Sequence, residues 1–292
     1  MSGSINLIQV PYHAGDDRHG SSQGPRRLID AGAVDLLRGH GLAVTVECID
    51  RGVPFRDTPS SAAAVNKQLA AVVARANDNG ALPLVLTGSC NSCIGVLAGF
   101  DHSDCGAVWI DAHADFNTPE SSASGFFPGM SLAVVTGHCY RNYWRQTGDS
   151  TPLEEESVAL FGVRDLSPEA ERERLERSAI NIVPWHEGKP LRDVYEALDS
   201  IARRIGEVYL HVDLDGFAPE VAPGIVDEPA PGGLTREQAE EIIRAAAARF
   251  HIRAVTLATY TPSNDHDEKT LRLALDLIEL VGNCVRDQSD AR

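Results

Sequence analysis

Five residues in two short runs could do chemistry together: Asp111, His113 and Asp115 in AVWIDAHAD, and Asp213 and Asp215 in VYLHVDLD. In each run the polar positions alternate, and alternation along an extended chain sends those side chains to one side. So many carboxylates in one place repel one another unless a cation neutralises them. With one imidazole added, the set suits a pair of divalent ions of intermediate hardness, Mn²⁺ first among them. A water shared by two such ions loses a proton near neutral pH and becomes a nucleophile, which is hydrolytic chemistry, with Asp115 and Asp213 holding the bridging hydroxide. A lone Asp after a strand usually caps a helix. Two clusters in matching contexts make that the weaker account.

Short β-branched apolar runs alternating with longer helical patterns must position these residues, and that rhythm indicates βα units around a mostly parallel sheet. Strands are expected over 5–10, 43–48, 82–86, 107–110, 158–161, 180–183, 208–212 and 252–257, and helices over 25–38, 62–76, 92–98, 129–136, 168–178, 191–205, 236–248 and 268–281. Thr235 and Gln238 have the spacing of a capping box. No repeat, linker or composition break divides the chain, so a single α/β domain over 1–292 is expected. Two loops rich in Gly, Pro and Ser, 116–128 and 217–233, each follow an acidic run at a strand end, where ligands of open α/β sheets bind.

The bulk properties narrow the partners. A formal charge of -16 and a pI near 5.0 disfavour nucleic acid and anionic membranes, despite arginines at 141, 145, 172 and 174 that could form a minor basic patch. A small-molecule substrate fits better. The six cysteines are scattered at 48, 90, 93, 105, 139 and 284, which suits a reduced cytoplasmic protein, and the N-terminus has neither signal-peptide form nor a membrane span.

DAHADFNTP and HVDLDGFAPE resemble the two metal motifs of the ureohydrolase family, which includes arginase and agmatinase, and GGLT at 232–235 resembles the segment that follows them. The resemblance runs from VPYHAGDDRHGSSQGPRRL to the last helix. It implies a three-layer α-β-α sandwich with a mostly parallel, roughly eight-stranded sheet, a binuclear manganese site, and hydrolysis of a guanidino-type carbon–nitrogen bond. Members are commonly trimers or hexamers, and the sequence leaves monomer, trimer and hexamer open.

Three departures stand out against that pattern. The family's first metal ligand is a His, and LVLTGSCNSCIG carries Cys90 at the matching position. A thiolate there would shift preference towards Zn²⁺ or Fe²⁺; a neighbouring register would offer Asn91, and a free Cys is also commonly just buried. Pro128 stands where arginases carry a proton-shuttling His, and proline transfers no proton. Thr259, in LATYTPSND, occupies the place of the Glu that clamps a guanidinium. Glu228 could supply a relocated carboxylate or be a solvated loop residue.

Other recognition positions persist in part. Asn117, Ser122 and Ser124 match residues that hold an α-carboxylate in arginases, and Ser167 replaces an Asp that holds the α-amino group; ordinary loop hydrogen bonding is the competing account. His19 and His138 are isolated candidates for a substitute acid. The expected substrate is an amino-acid-like guanidine other than L-arginine. The hydroxyarginine hydrolase of cycloserine biosynthesis is similar in applying an arginase-like site to such a substrate, giving hydroxyurea and ornithine. An agmatinase-like or guanidinoacid hydrolase is the alternative within the class, supported by SGFF at 124–127. A non-catalytic, metal-depleted binding protein is the alternative outside it.

Overall fold

Eight parallel strands form one sheet in the order β2-β1-β3-β10-β9-β4-β5-β6. They are β1 Ser4–Val10, β2 Ala43–Cys48, β3 Leu82–Thr87, β4 Cys105–Ile110, β5 Val158–Phe161, β6 Asn181–Val183, β9 Glu207–Asp213 and β10 His251–Ala258. A small antiparallel pair, β7 Trp185–His186 and β8 Lys189–Pro190, was not expected; at two residues each, these strands carry no periodic signal. The computed structural model describes residues 3–148, 150–226 and 229–290.

Alternation along the strands splits the core into two layers. In β4, Val108 and Ile110 face one apolar cluster while Ala107 and Trp109 face the other. The first cluster is closed by α1 Gly24–Asp30, α2 Ala33–Gly39, α8 Val194–Ala202, α9 Arg236–Ala247 and α10 Lys269–Asp290. The second is closed by α3 Thr58–Asp78, α4 Cys93–Leu97, α5 Ser131–Val135, α6 Arg141–Thr147 and α7 Glu169–Arg177. The three-layer expectation holds.

Local chemistry explains where helices begin and break. Asp57 caps α3 by accepting from Ser60 N, and the capping box of Thr235 and Gln238 is formed at α9. The single helix expected over 25–38 is two helices, because Gly32 adopts a left-handed φ of 97° between them. The expected helices at 92–98 and 129–136 each open with a 3₁₀ turn, Cys90–Ser92 and Pro128–Met130. Helix α10 runs nine residues past its expected end at 281, where buried Cys284 and Val285 carry on the apolar stripe of Leu277, Ile278 and Val281 for another turn. Among the described residues no helix is long and apolar enough to cross a membrane.

Candidate metal centre

Four neighbouring strands deliver the site residues. In the sheet order β3-β10-β9-β4, Cys90 follows β3, Thr259 follows β10, Asp213 ends β9 and Asp111 follows β4. All four are buried, as are Asp115 and Asp215. Backbone amides bind the carboxylates and aim them: His113 N donates to Asp111 Oδ1 at 2.7 Å, Asp215 N to Asp213 Oδ1 at 2.9 Å and Ala112 N to Asp215 Oδ1 at 3.3 Å.

Side chains complete the scaffold. Trp109 Nε1 donates to Asp111 Oδ2 at 3.1 Å, and the Cys90 thiol donates to Asp213 Oδ2 at 2.6 Å. The Thr259 hydroxyl donates to Asp213 Oδ1 from a residue held at a left-handed φ of 69°, and Asp115 is likewise left-handed at 50°. Such backbone costs free energy and concentrates at functional sites. His113 Nδ1 lies 3.3 Å from Asp111 and 3.2 Å from Asp215, and its Nε2 faces the half-exposed Asp165 carboxylate at 3.7 Å.

The electrostatics of the cluster call for a cation. Burial, then Asp215, raises Asp111 to about 6, and burial raises Asp115 and Asp213 well above the usual carboxylate range. Burial pushes Asp215 the same way, but the His113 imidazolium outweighs it and the net shift is downward. The Cys90 thiol is driven far up by burial and by Asp213. Asp115 Oδ2 is buried with no hydrogen-bond partner among the described residues. An orphaned carboxylate oxygen and a thiol sharing its proton with a carboxylate fit a divalent-ion site.

Two donor sets emerge, and both include Asp111. One joins Asp111, His113 and Asp215; the other joins Cys90, Asp111, Asp213 and His211, with donor atoms all within 4.8 Å of one another in each. Cys90 rather than Asn91 faces the carboxylates, since Asn91 Oδ1 accepts from Ser89 and its carbonyl accepts from Asn66. Asp115 stands outside both compact sets, on the wall of the adjoining cleft. His211 was missed in the sequence, although it alternates with Asp213 and Asp215 and so shares their side of the strand.

The cleft has a volume of about 810 Å³, and Asn117, Ser122, Ser124, Ser167, Thr259 and Pro128 all line it. Its loop is bonded to itself as well: Ser121 Oγ donates to Asn117 Oδ1, and Ser122 and Ser124 accept from Gly125 N and Phe126 N. Glu228 lies outside the described residues. His138 pairs with Glu155 at 2.5 Å and does not line the cleft. His19 stacks at 3.9 Å on His13, which does line it and which burial, then His19, lowers to about 4.

Beneath the centre, Arg164 donates to the carbonyls of Gly162, Asp215, Gly216, Phe217, Ala230 and Pro231. The guanidinium thereby ties the turn carrying Asp215 to the following loop. Gly162 completes this floor, because a Cβ there would lie 2.8 Å from Asp111 O.

Comparison with known proteins agrees with this geometry. The sequence pattern of the arginase family matches residues 4–282. An arginase from Bacillus caldovelox is 32% identical over 291 residues, covering 94% of this chain and 96% of that one. The native crystal structure of B. caldovelox arginase superposes with a TM-score of 0.87 at 31% identity, covering 98% of both chains. Proclavaminate amidino hydrolase from Streptomyces clavuligerus, at 20% identity and a TM-score of 0.69, shares the fold over 98% of this chain and 93% of its own.

Proposed function

The chain belongs to the arginase family, and from that premise we propose that it hydrolyses Nω-hydroxy-L-arginine to hydroxyurea and ornithine. Membership makes it a hydrolase of amidine carbon–nitrogen bonds in guanidino substrates. The observation carrying the narrower reading is that Pro128 and Thr259 line the same cleft as Asp115, Asp213 and Asp215. Two divalent ions, Mn²⁺ first among them, supply when bound the Lewis acidity that lowers the pKa of a shared water. Cys90, Asp111, His113, Asp115, Asp213 and Asp215 are the residues proposed to hold them.

The remaining residues fit a weakly basic substrate. The Thr259 hydroxyl is engaged by Asp213, and it offers no carboxylate to a charged guanidinium. Pro128 moves no proton to the leaving nitrogen. An N-hydroxyl group lowers the basicity of a guanidine, so a smaller fraction is cationic and the missing clamp matters less. That hydroxyl also brings an exchangeable proton next to the bond between the guanidino carbon and the δ-nitrogen of ornithine. Asn117, Ser122, Ser124 and Ser167 line the cleft, and the α-carboxylate and α-amino ends of an amino acid are assigned to them in this reading.

The test is a product assay on the metal-loaded protein. Hydroxyarginine is expected to yield hydroxyurea at least about a hundredfold faster than L-arginine yields urea, the usual scale of a missing general acid. No product from hydroxyarginine, with brisk urea from agmatine or a guanidino acid, would overturn the reading in favour of an agmatinase-like or guanidinoacid hydrolase.

A further inference from the structure

His211 is fully buried on β9, and its two ring nitrogens have different surroundings. Nδ1 lies 2.8 Å from the Tyr209 hydroxyl, whereas Nε2 has no hydrogen-bond partner among the described residues. A buried ring nitrogen without a partner costs free energy unless something fills the gap. The ring is fixed in place, stacked on Trp109 with centroids 3.8 Å apart and planes 20° from parallel. Trp109 also donates to Asp111, so one indole holds two members of the same donor set.

With Nδ1 engaged by Tyr209, Nε2 is the ring nitrogen left to join the other donors. Nitrogen, sulfur and two carboxylate oxygens, from His211, Cys90, Asp111 and Asp213, all fall within 4.8 Å of one another. Donors about 2.0–2.3 Å from a shared ion are separated by up to roughly twice that distance, so the spacing is right for one ion among them. When Nδ1–H donates to Tyr209, the lone pair of Nε2 is left for the metal, which is the usual arrangement of a ligating imidazole with its orienting partner.

We propose that His211 Nε2 is a ligand of the ion held between Cys90, Asp111 and Asp213, so that the two ion positions of this chain are chemically unequal. The inference rests on the binuclear reading above. A sulfur and nitrogen set favours Zn²⁺, Co²⁺ or Fe²⁺, whereas the position built from Asp111, His113 and Asp215 keeps a harder set suited to Mn²⁺. His211 thus offsets the imidazole lost where Cys90 stands. The thiol proton now shared with Asp213 leaves when the ion enters.

The experiment titrates the metal-free full chain with Co²⁺, reading stoichiometry together with the near-ultraviolet thiolate-to-cobalt charge-transfer band. The unsubstituted protein is expected to take two ions and develop the band. His211→Ala should lower affinity at the thiolate position by about tenfold or more, the scale seen when a supporting group of a metal site is removed. It should keep the ion beside His113, which reports an intact fold, and added imidazole should restore the band. His211→Gln, closer in volume, should show the same weakening without rescue. Two ions and an undiminished band in both variants would overturn this inference alone. Absence of ion binding in the unsubstituted protein would overturn the binuclear reading as well.

Discussion

Cys90 Sγ and Asp213 Oδ2 lie 2.6 Å apart, a hydrogen bond that spans from the end of β3 to the end of β9 across the intervening β10. Serine at position 90 preserves a donor to Asp213 but removes the soft sulfur. Cys90→Ser is therefore expected to melt within a few degrees of the parent, yet to bind Zn²⁺ or Co²⁺ about tenfold or more weakly at that position. Competition with a chromogenic chelator measures this, and unchanged affinity would remove Cys90 from the donor set.

Protonation should govern the stability of the metal-free protein. Burial, then Asp215, moves Asp111 from its usual 3.8 up to about 6. A carboxyl raised on folding stabilises fully below its unfolded pKa, and that contribution is lost as pH rises through the folded value. For Asp111 the loss is on the order of 3 kcal/mol, spread between about pH 4 and pH 6 to 7. Asp115 and Asp213 are raised too and extend the loss upward, while Asp215, shifted down, opposes it only at the acid end. His13 and His211, lowered by burial to about 4 and about 3, oppose this loss, because each adds stability as pH rises towards 6.5. The metal linkage isolates the carboxyls: added metal should raise Tm more at pH 7 than at pH 5, and an equal or smaller rise at pH 7 would contradict this.

Placing an imidazole in the cleft should move activity towards the unmodified substrate. Pro128 opens a 3₁₀ turn, where its missing N–H costs nothing, and it lines the cleft. Pro128→His is expected to raise urea release from L-arginine by about tenfold to a hundredfold without changing metal stoichiometry. An unchanged rate would mean that a side chain at position 128 does not reach the leaving nitrogen.

Arg164 offers a test on stability. Its planar fork reaches six carbonyls, and a lysine carries three donors on a single nitrogen. Arg164→Lys should cost about 2–4 kcal/mol in urea unfolding, because several buried carbonyls lose a charge-assisted bond. Metal affinity should fall with it, since the Asp215 turn hangs on the same guanidinium.

The eight main strands and both acidic runs were legible because period-two alternation and a D-x-H-x-D spacing are local properties. The break at Gly32 was hidden inside a periodic apolar pattern, and α6 went unseen because it buries only Trp144 and Thr147 and starts from Tyr140 without a side-chain cap. His211 was readable in principle, being two residues before Asp213 on an alternating strand. Arg164 and Asp165 owe their placement to contacts with the ends of other strands, and His13 to a loop packed against Gly88. No spacing in the chain announces those meetings.

The strand order also sets a timetable. Cys90, Asp111 and His113 leave the ribosome long before Asp213, Asp215 and Thr259, yet β10 and β9 must insert between β3 and β4 for the donors to meet. A nascent chain lacking the last two strands carries some donors and no complete set. A metal ion taken up by this set would therefore enter late in synthesis, and a loaded centre would certify that the middle of the sheet has closed.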